Sequence, residues 1–232
     1  MLHVVQFRYS SDNLAYLIYG EEEAIAVDGG AVEEIEQFLA EKRLTLKHVI
    51  NTHSHYDHTS GNDYLLKRYK ARSLSCYQLS SQGRLLLENN TITIHSTPGH
   101  TEDSLCIQVD HVLLTGDTLF NGTIGNCFSG RDDLFYQSIR NIITLPKKTI
   151  IYAGHDYVRD SINFAKKMEP ENEHLDSFMA YYDADNVYST LADELQINPY
   201  LRFNDEKMIA VMMRLGFSGT TEWERWMFLM SL

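Results

Sequence analysis

The sequence predicts an α+β protein in which helices cover β-sheets on their outer faces, followed by a small domain made of helices alone. Apolar, strand-like runs alternate with helical patterns as far as His155. Beyond that residue, apolar side chains recur at helical spacing, and Pro170 and Pro199 separate the segments. With 44% hydrophobic residues among 232, the chain is long and apolar enough to bury a core. We therefore expect two domains, residues 1–158 and residues 159–232.

The first domain is predicted to open with a β-meander. Three strand-like runs, at residues 2–7, 14–19 and 24–27, are separated by short polar turns. A helix is predicted at residues 32–41, where apolar residues recur at i, i+3 and i+4. The next apolar run, residues 47–50, is predicted to form a buried strand.

The remaining elements of this domain alternate between strand-like and helical patterns. They are strands at residues 72–77, 91–95, 105–109, 112–114 and 149–152, and helices at residues 60–70 and 132–143. The order β-β-β-α-β-α, then strands, then α-β, fits sheets with helices on their outer faces. In the second domain we expect helices and no strands, at residues 157–168, 173–182, 190–195 and 205–215.

The charge balance argues against some partners. Twenty basic against 32 acidic residues give a net charge of -12, which disfavours nucleic acid and anionic membrane surfaces. There is no signal-peptide pattern and no run of the roughly 18 apolar residues that a membrane span needs. We expect a cytoplasmic protein that is a monomer or a weak homodimer. Cys76, Cys106 and Cys127 show no CxxC spacing, so neither a disulfide framework nor a thiolate metal site is predicted.

A histidine-rich turn carries the strongest chemical signal. The segment THSHYDH, residues 52–58, directly follows the predicted buried strand. His53 and His55 are two residues apart on one turn and can converge on one metal ion. Asp57 and His58 lie immediately beyond them and can face a second ion nearby. Because neutral imidazole and carboxylate groups hold zinc, iron or manganese, this turn predicts half of the ligands of a two-metal site.

Three further motifs each place a candidate ligand beside a glycine after a strand-like run. They are PGH ending at His100, GD ending at Asp117 and GH ending at His155. Glycine lets the backbone approach a metal closely. We assign His53, His55 and His100 to the first metal, Asp57, His58 and His155 to the second, and Asp117 as the carboxylate that bridges both.

Such a site favours hydrolysis. Two metal ions a few ångströms apart can share a water molecule, lower its pKa toward neutrality and polarise a carbonyl group. Asp57 can also accept a hydrogen bond from the nucleophile and orient it. The metal site alone suits either carbonyl or phosphoryl substrates. A thiolate with a pKa near about 8.5 leaves without protonation, whereas an amide nitrogen must first be protonated, so a thioester or reactive ester suits this donor set.

The motifs THSHYDH, PGHT, GDTLF and AGHDY resemble those of the metallo-β-lactamase-fold hydrolases. This resemblance implies a four-layer αββα sandwich with a dinuclear site at one edge. The segments MEPEN, STLADEL and NPYLR, at residues 168–172, 189–195 and 198–202, resemble the helical domain of glyoxalase II, or hydroxyacylglutathione hydrolase. Glyoxalase II hydrolyses S-D-lactoylglutathione to glutathione and D-lactate. The resemblance further implies two divalent metal ions, zinc first with iron or manganese as alternatives, and a C-terminal α-helical domain that binds substrate.

On the thiol side the chain departs from the glyoxalase II pattern. Where that family has a basic residue and then an aromatic pair containing tyrosine, the matching positions hold Asn126, Cys127 and Phe128. Near the C-terminus, where the family places an arginine and a lysine, Arg225 is the only basic residue of TEWERWMFLMSL. The resemblance assigns Tyr157, Phe128 and Asn126 to substrate binding. Charge-assisted contacts worth about 1.5 to 3 kcal/mol each are missing, which weakens glutathione binding.

Two alternative functions follow from the same residues. A thioesterase acting on a different thiol conjugate would keep the metal site and change only the thiol pocket. A persulfide dioxygenase on the same fold would hold a single iron and consume oxygen. The complete second ligand set of Asp57, His58 and His155 argues against the dioxygenase, while β-lactamase or lactonase chemistry remains open on the fold alone.

Overall fold

The computed structural model describes the whole chain, Met1–Leu232, as two β-sheets packed face to face with helices on both outer surfaces. The strands of the first sheet are β1 (His3–Tyr9), β2 (Asn13–Tyr19), β3 (Glu23–Val27), β4 (Thr45–Ile50) and β5 (Arg72–Ser73). They lie in sequence order. The first three are antiparallel neighbours, and β3, β4 and β5 are parallel neighbours, so these three strands end at the same edge of the sheet.

The second sheet has six strands. They are β6 (Arg84–Leu87), β7 (Asn90–Ser96), β8 (Leu105–Val109), β9 (Val112–Gly116), β12 (Ile150–Ala153) and β13 (Ser189–Thr190). Their spatial order is β13-β12-β9-β8-β7-β6, with β12 parallel to β9. A separate small hairpin, β10 (Leu119–Phe120) with β11 (Thr123–Ile124), follows β9.

Ten helices surround the sheets. In the first part of the chain they are α1 (Val32–Lys42), α2 (Tyr56–Thr59), α3 (Asn62–Tyr69), α4 (Cys76–Gln82) and α5 (Asp132–Ile143). In the second part they are α6 (Val158–Met168), α7 (Glu173–Tyr181), α8 (Leu191–Ile197), α9 (Glu206–Arg214) and α10 (Glu222–Met230), with a 3-10 turn at Pro199–Leu201. None of these helices has the length and apolar character needed to cross a membrane.

The layering follows from the two-residue period of the strands. In β2, Tyr16 and Ile18 point into the core between the sheets, where they join Ile107 of β8. Ala15 and Leu17 point the other way, into the outer core under α1 and α3. Side chains of a strand alternate between faces, so fully apolar strands of this kind are buried on both sides. The αββα sandwich expected from the sequence is thereby confirmed.

The C-terminal helices complete the cores of the sandwich and have no separate core. Ile162 of α6 and Phe178 of α7 belong to the core between the sheets. Met208 of α9 and Trp226 of α10 belong to the core outside the second sheet, where the Trp226 ring packs edge-on against Phe135 of α5 at 5.9 Å. The helical region is therefore continuous with the sandwich in its packing.

Two expectations from the sequence were wrong. The predicted strand at residues 72–77 ends at Ser73, because Ser75 and Gln78 form a capping box that starts α4 at Cys76. The second domain is also not free of strands. Ser189 and Thr190 form β13, which pairs antiparallel with β12 and extends the second sheet.

Candidate metal centre

The seven predicted ligands come together at one edge of the sandwich, beyond the ends of strands from both sheets. The histidine-rich turn follows β4, Asp117 follows β9 and His155 follows β12. Their donor atoms form two groups, each with all atoms within 4.8 Å of one another. The groups are His53, His55, His100 and Asp117, and Asp57, His58 and His155.

Two glycines allow this crowding. A Cβ atom on Gly116, which has a φ of +49°, would lie 2.3 Å from the Thr52 hydroxyl oxygen. A Cβ atom on Gly154 would lie 2.2 Å from Asp117 Oδ1 and 2.8 Å from the His58 ring. All three distances are far inside van der Waals contact, so any side chain at these positions would displace a candidate ligand or the residue that supports it.

In the first group, the inward-facing atom of His55 is Nδ1. It lies 3.0 Å from His53 Nε2 and 3.0 Å from His100 Nε2. Asp117 Oδ2 is 3.5 Å from His100 Nε2 and 3.9 Å from His53 Nε2. Three imidazoles and one carboxylate oxygen therefore face a common point.

In the second group, His58 Nε2 and His155 Nε2 are 3.2 Å apart. Asp57 Oδ2 is 3.6 Å from the former and 3.3 Å from the latter. Asp117 also reaches this group, because its Oδ1 is 3.3 Å from His58 Nε2 and its Oδ2 is 3.5 Å from His155 Nε2. Asp117 thus faces both groups at once.

Hydrogen bonds on the outer side of the histidines set their orientation. His58 Nδ1 lies 3.0 Å from Asp28 Oδ2. His53 Nδ1 lies 3.1 Å from the Thr52 hydroxyl, which itself donates to Asp28 Oδ2 at 2.7 Å. Asp28 accepts from His58 Nδ1 and from the Thr52 hydroxyl, whose oxygen in turn accepts from His53 Nδ1. Both outer nitrogens therefore carry N–H groups, and each Nε2 is turned inward with its lone pair free for a cation.

The other two histidines are held in the same way by different partners. His100 Nδ1 lies 3.0 Å from the main-chain oxygen of Asn126, and His155 Nδ1 lies 2.9 Å from Asp12 Oδ1. Both partners are acceptors, so these rings also present Nε2 to the centre. All four of these imidazoles are therefore arranged as ligands.

The electrostatics of the centre agree with cation binding. Burial and the neighbouring His58 lower the pKa of His53 to about 4, so this ring is neutral near pH 7. Burial lowers the pKa of His58, but the Asp28 and Asp117 carboxylates outweigh it and raise that pKa to about 11. Burial raises the pKa of Asp117, but His58 and His155 outweigh it and lower that pKa to about 2. The Asp28 and Asp117 carboxylates that favour a proton on His58 also favour a metal ion there, which would displace that proton.

One buried carboxylate oxygen, Asp117 Oδ1, supports the fit of the site to a metal ion. Asp117 Oδ1 is buried and accepts no hydrogen bond, although buried carboxylate oxygens are normally satisfied. It faces Nε2 of His58 in the second group. The Nδ1 atoms of the two histidines in this group are already hydrogen-bonded to Asp28 and Asp12. Nitrogen and oxygen donors in this proportion suit zinc, iron or manganese, so the residues fit two divalent ions.

The residues assigned to the substrate side surround this centre. The Phe128 side chain is 66% exposed, and its ring lies 5.2 Å from the His100 ring and 5.8 Å from the His55 ring. The Tyr157 ring stacks on His155 at 5.0 Å. Burial, together with nearby carboxylates, raises the pKa of the Tyr157 hydroxyl to about 12, so it remains a hydrogen-bond donor. Asn126 has an exposed side chain and contributes its main-chain oxygen to His100.

The supporting residues Asp12, Asn13 and Asp28 were not identified from the sequence. Asn13 donates to Asp57 Oδ2 at 3.0 Å, and Asp28 supports two ligands. Asp28 offered one signal, since it directly follows β3, the parallel neighbour of the strand that leads into the histidine-rich turn. Asp12 lies in the turn between β1 and β2, Asn13 is the first residue of β2, and neither offered a signal.

Comparisons with known families cover almost the whole chain. Residues 11–80 and 81–155 match the family described as the Metallo-beta-lactamase superfamily. Residues 156–224 match the family described as Hydroxyacylglutathione hydrolase C-terminus. The two family matches are adjacent and together cover residues 11–224.

Individual relatives agree with these matches. A hydroxyacylglutathione hydrolase of Idiomarina loihiensis is 31% identical over 205 residues, covering 82% of this chain and 81% of the relative. One of Pelagibacter ubique is 32% identical over 222 residues, covering 86% of this chain and 92% of the relative. Among solved structures, ETHE1 from Myxococcus xanthus has a TM-score of 0.66 at 25% identity, covering 94% of this chain and 92% of that one.

Proposed function

The chain belongs to the metallo-beta-lactamase superfamily and, within it, to the hydroxyacylglutathione hydrolases, and from this premise we propose that it hydrolyses S-D-lactoylglutathione to glutathione and D-lactate. It is a metal-dependent hydrolase of the glyoxalase II type. The observation that carries the substrate proposal is the pairing of a two-group metal centre with the helical C-terminal region of this family.

The seven candidate ligands divide between two metal ions. His53, His55 and His100 would hold one ion, Asp57, His58 and His155 the other, and Asp117 both. Divalent ions in such a site lower the pKa of water and polarise a carbonyl oxygen. We propose zinc for both positions, with iron or manganese as alternatives.

Asp57 has a further role. The Asp57 side chain is 47% exposed and so remains open to substrate and water. Burial raises its pKa, but the neighbouring His58 and the hydrogen bond from Asn13 outweigh this and lower the pKa below its usual value. The ionised carboxylate accepts a hydrogen bond from the attacking water and orients it toward the thioester carbon. Attack of the water forms the C–O bond and breaks the C–S bond, and the proton that the water loses passes to Asp57 and from there to solvent. The sulfur leaves as a thiolate, which needs no proton from the protein.

The thiol side of the site has an unusual character. Arg225, the basic residue of the C-terminal segment, already makes three hydrogen bonds within the fold. Its guanidinium donates to the main-chain oxygens of Phe203 and Thr220 and to the side-chain oxygen of Asn204. These bonds occupy three of its five N–H groups and favour a structural role for Arg225. The aromatic surface of Phe128 and the hydroxyl of Tyr157 are the contacts we propose for the thiol portion.

Steady-state hydrolysis by zinc-loaded protein tests the proposal. The substrates are S-D-lactoylglutathione and the N-acetylcysteamine thioester of D-lactate, which has the same acyl group on an uncharged thiol. Saturable turnover of the glutathione thioester supports the proposal. Saturation with the uncharged thioester alone supports the alternative of a thioesterase for another thiol conjugate. Absence of hydrolysis of either thioester by protein that carries two zinc ions contradicts both.

Metal content separates the hydrolase from a persulfide dioxygenase. The second group, Asp57, His58 and His155, is complete, which supports two metal ions per chain. A dioxygenase would hold one iron and consume oxygen. Elemental analysis of the purified protein and an oxygen electrode distinguish the two.

We further propose that residues 1–158 carry the metal chemistry and that residues 159–232 contribute to substrate binding. That the protein is a cytoplasmic monomer or weak homodimer remains our prediction.

A further inference from the structure

The tip of the first hairpin, residues 9–13, makes several contacts with the second ligand group. Asp12 Oδ1 lies 2.9 Å from His155 Nδ1, and Asn13 donates to Asp57 Oδ2 at 3.0 Å. The Tyr9 hydroxyl donates to the main-chain oxygen of Asp57 at 2.8 Å. Two of the three residues of this group are thus oriented by one short segment of the chain. We call this segment the hairpin tip.

The hairpin tip is itself fixed in place. The main-chain N–H of Leu14 donates to the oxygen of Gly154 at 2.9 Å, and that of Asp156 donates to the oxygen of Asp12 at 2.8 Å. These bonds flank His155 on both sides and tie the end of β12 to the tip. Asn13 is only 5% exposed, so its side chain is held in a packed environment.

The first ligand group is supported without the hairpin tip. His53 is held by the Thr52 hydroxyl, which itself donates a hydrogen bond to Asp28. His100 is held by the main-chain oxygen of Asn126. These partners lie after β3, β4 and β11, on other segments of the chain. The hairpin tip therefore supports residues of the second group alone, although the two groups share Asp117 and both depend on Asp28, which also accepts from His58 Nδ1.

We propose that Asp12 and Asn13 are positioning residues that determine whether the second metal position is occupied. Asp12 accepts from His155 Nδ1 and so keeps its Nε2 as the metal donor, while Asn13 holds the Asp57 carboxylate toward the same point. Loss of partners of this kind weakens metal binding about 10- to 100-fold. The proposal rests on the two-metal site of the proposed function and is independent of the identity of the thioester.

Zinc titration of chelator-treated protein tests this directly. Isothermal titration calorimetry is expected to show two binding events in the natural protein. In Asp12→Ala we expect one unchanged event and one about 10- to 100-fold weaker. Asp12→Asn keeps an oxygen acceptor for His155 Nδ1, so it is expected to restore both events. Asp185→Ala removes an equal charge from an exposed turn and serves as the matched control.

Asn13→Leu provides an independent variant, because it removes the donor to Asp57 and leaves Asp12 in place. Thermal unfolding of each metal-free variant shows that the fold is retained. The absorption spectrum of the cobalt-loaded proteins reports the coordination of each position separately. Two unchanged zinc events in Asp12→Ala, or equal weakening of both events, would overturn the proposal. Two zinc events without any thioester hydrolysis would contradict the proposed function and leave this inference standing.

Discussion

Asp117 is the residue through which the two ligand groups meet. Its carboxylate faces ring nitrogens of both groups at 3.3 to 3.9 Å, and it is 8% exposed. No other side chain of the centre reaches both groups in this way. Its replacement therefore affects both metal positions together.

We expect Asp117→Ala to lower kcat by more than about 100-fold. Changing a residue that only hydrogen-bonds a metal ligand costs up to about 100-fold, and Asp117 is a candidate ligand itself. The fold is expected to remain, because the change relieves a buried carboxylate. The kcat for thioester hydrolysis, the metal content and the circular dichroism spectrum check this. Full activity in this variant would contradict the two-metal mechanism, and Asp185→Ala is the control for a simple loss of charge.

Phe128 offers a prediction about specificity. Its exposed ring stands beside His55 and His100 without being a ligand. Removing an aromatic contact worth about 1 kcal/mol is expected to raise KM about 5-fold in Phe128→Ala, with kcat retained. Tyr181→Ala, which removes a ring that is 50% exposed on α7, is the matched control. An unchanged KM would remove Phe128 from the substrate site.

Glu194 gives a pH dependence of stability. It is fully buried, and it accepts hydrogen bonds from the Gly122 main-chain N–H and the Asn198 amide. Burial raises its pKa from 4.5 to about 7, despite those bonds. The native protein therefore keeps a proton that the unfolded chain has lost between these values, so stability falls as pH rises through this window.

The expected fall is roughly 3 kcal/mol between pH 4.5 and pH 7. Glu194→Gln resembles the protonated side chain and cannot titrate, so it is expected to lack this part of the pH dependence. Urea unfolding of both proteins at several pH values measures the difference. The same slope in both proteins would show that Glu194 does not titrate in this range.

Helix α4 illustrates how a local signal decides an element. The alternating pattern at residues 72–77 suggested a strand, but the capping box of Ser75 with Gln78 starts a helix. We expect Ser75→Ala to reduce the free energy of unfolding by about 1 kcal/mol. Ser81→Ala, at an exposed position of the same helix, is expected to be neutral or slightly stabilising. Urea unfolding compares the two variants.

The elements that the sequence predicted well have strong internal periodicity. The helix at Asp132–Ile143 was predicted with its observed ends, since its buried residues Phe135, Ile139 and Ile142 follow helical spacing. The candidate metal ligands were proposed because each follows a strand-like run, and the structure brings these residues together. The supporting contacts could not be predicted, because they join distant segments. Asp12 and His155, for example, are 143 residues apart.

At the scale of the whole molecule, the helical region is bound to the sandwich by shared cores. Ile162 and Phe178 lie in the core between the sheets, and Met208 and Trp226 lie in the core outside the second sheet. A protein ending at residue 158 would expose the parts of both cores that these helices cover. We expect it to be insoluble or molten, in contrast to the full chain. Near-ultraviolet circular dichroism and size-exclusion chromatography test this, and a cooperative unfolding transition in the fragment would contradict it.

The short strand β13 has a consequence for synthesis on the ribosome. Ser189 and Thr190 pair with Ile150 and Ile151 and so cover the edge of the second sheet at β12. Until they emerge, the nascent chain presents an apolar strand with unpaired backbone groups. Such open edges recruit other chains, and domains fold as units while they emerge. The nascent protein therefore keeps an open sheet edge until the segment around Thr190 leaves the exit tunnel, so we expect a translational pause just upstream of it to favour aggregation.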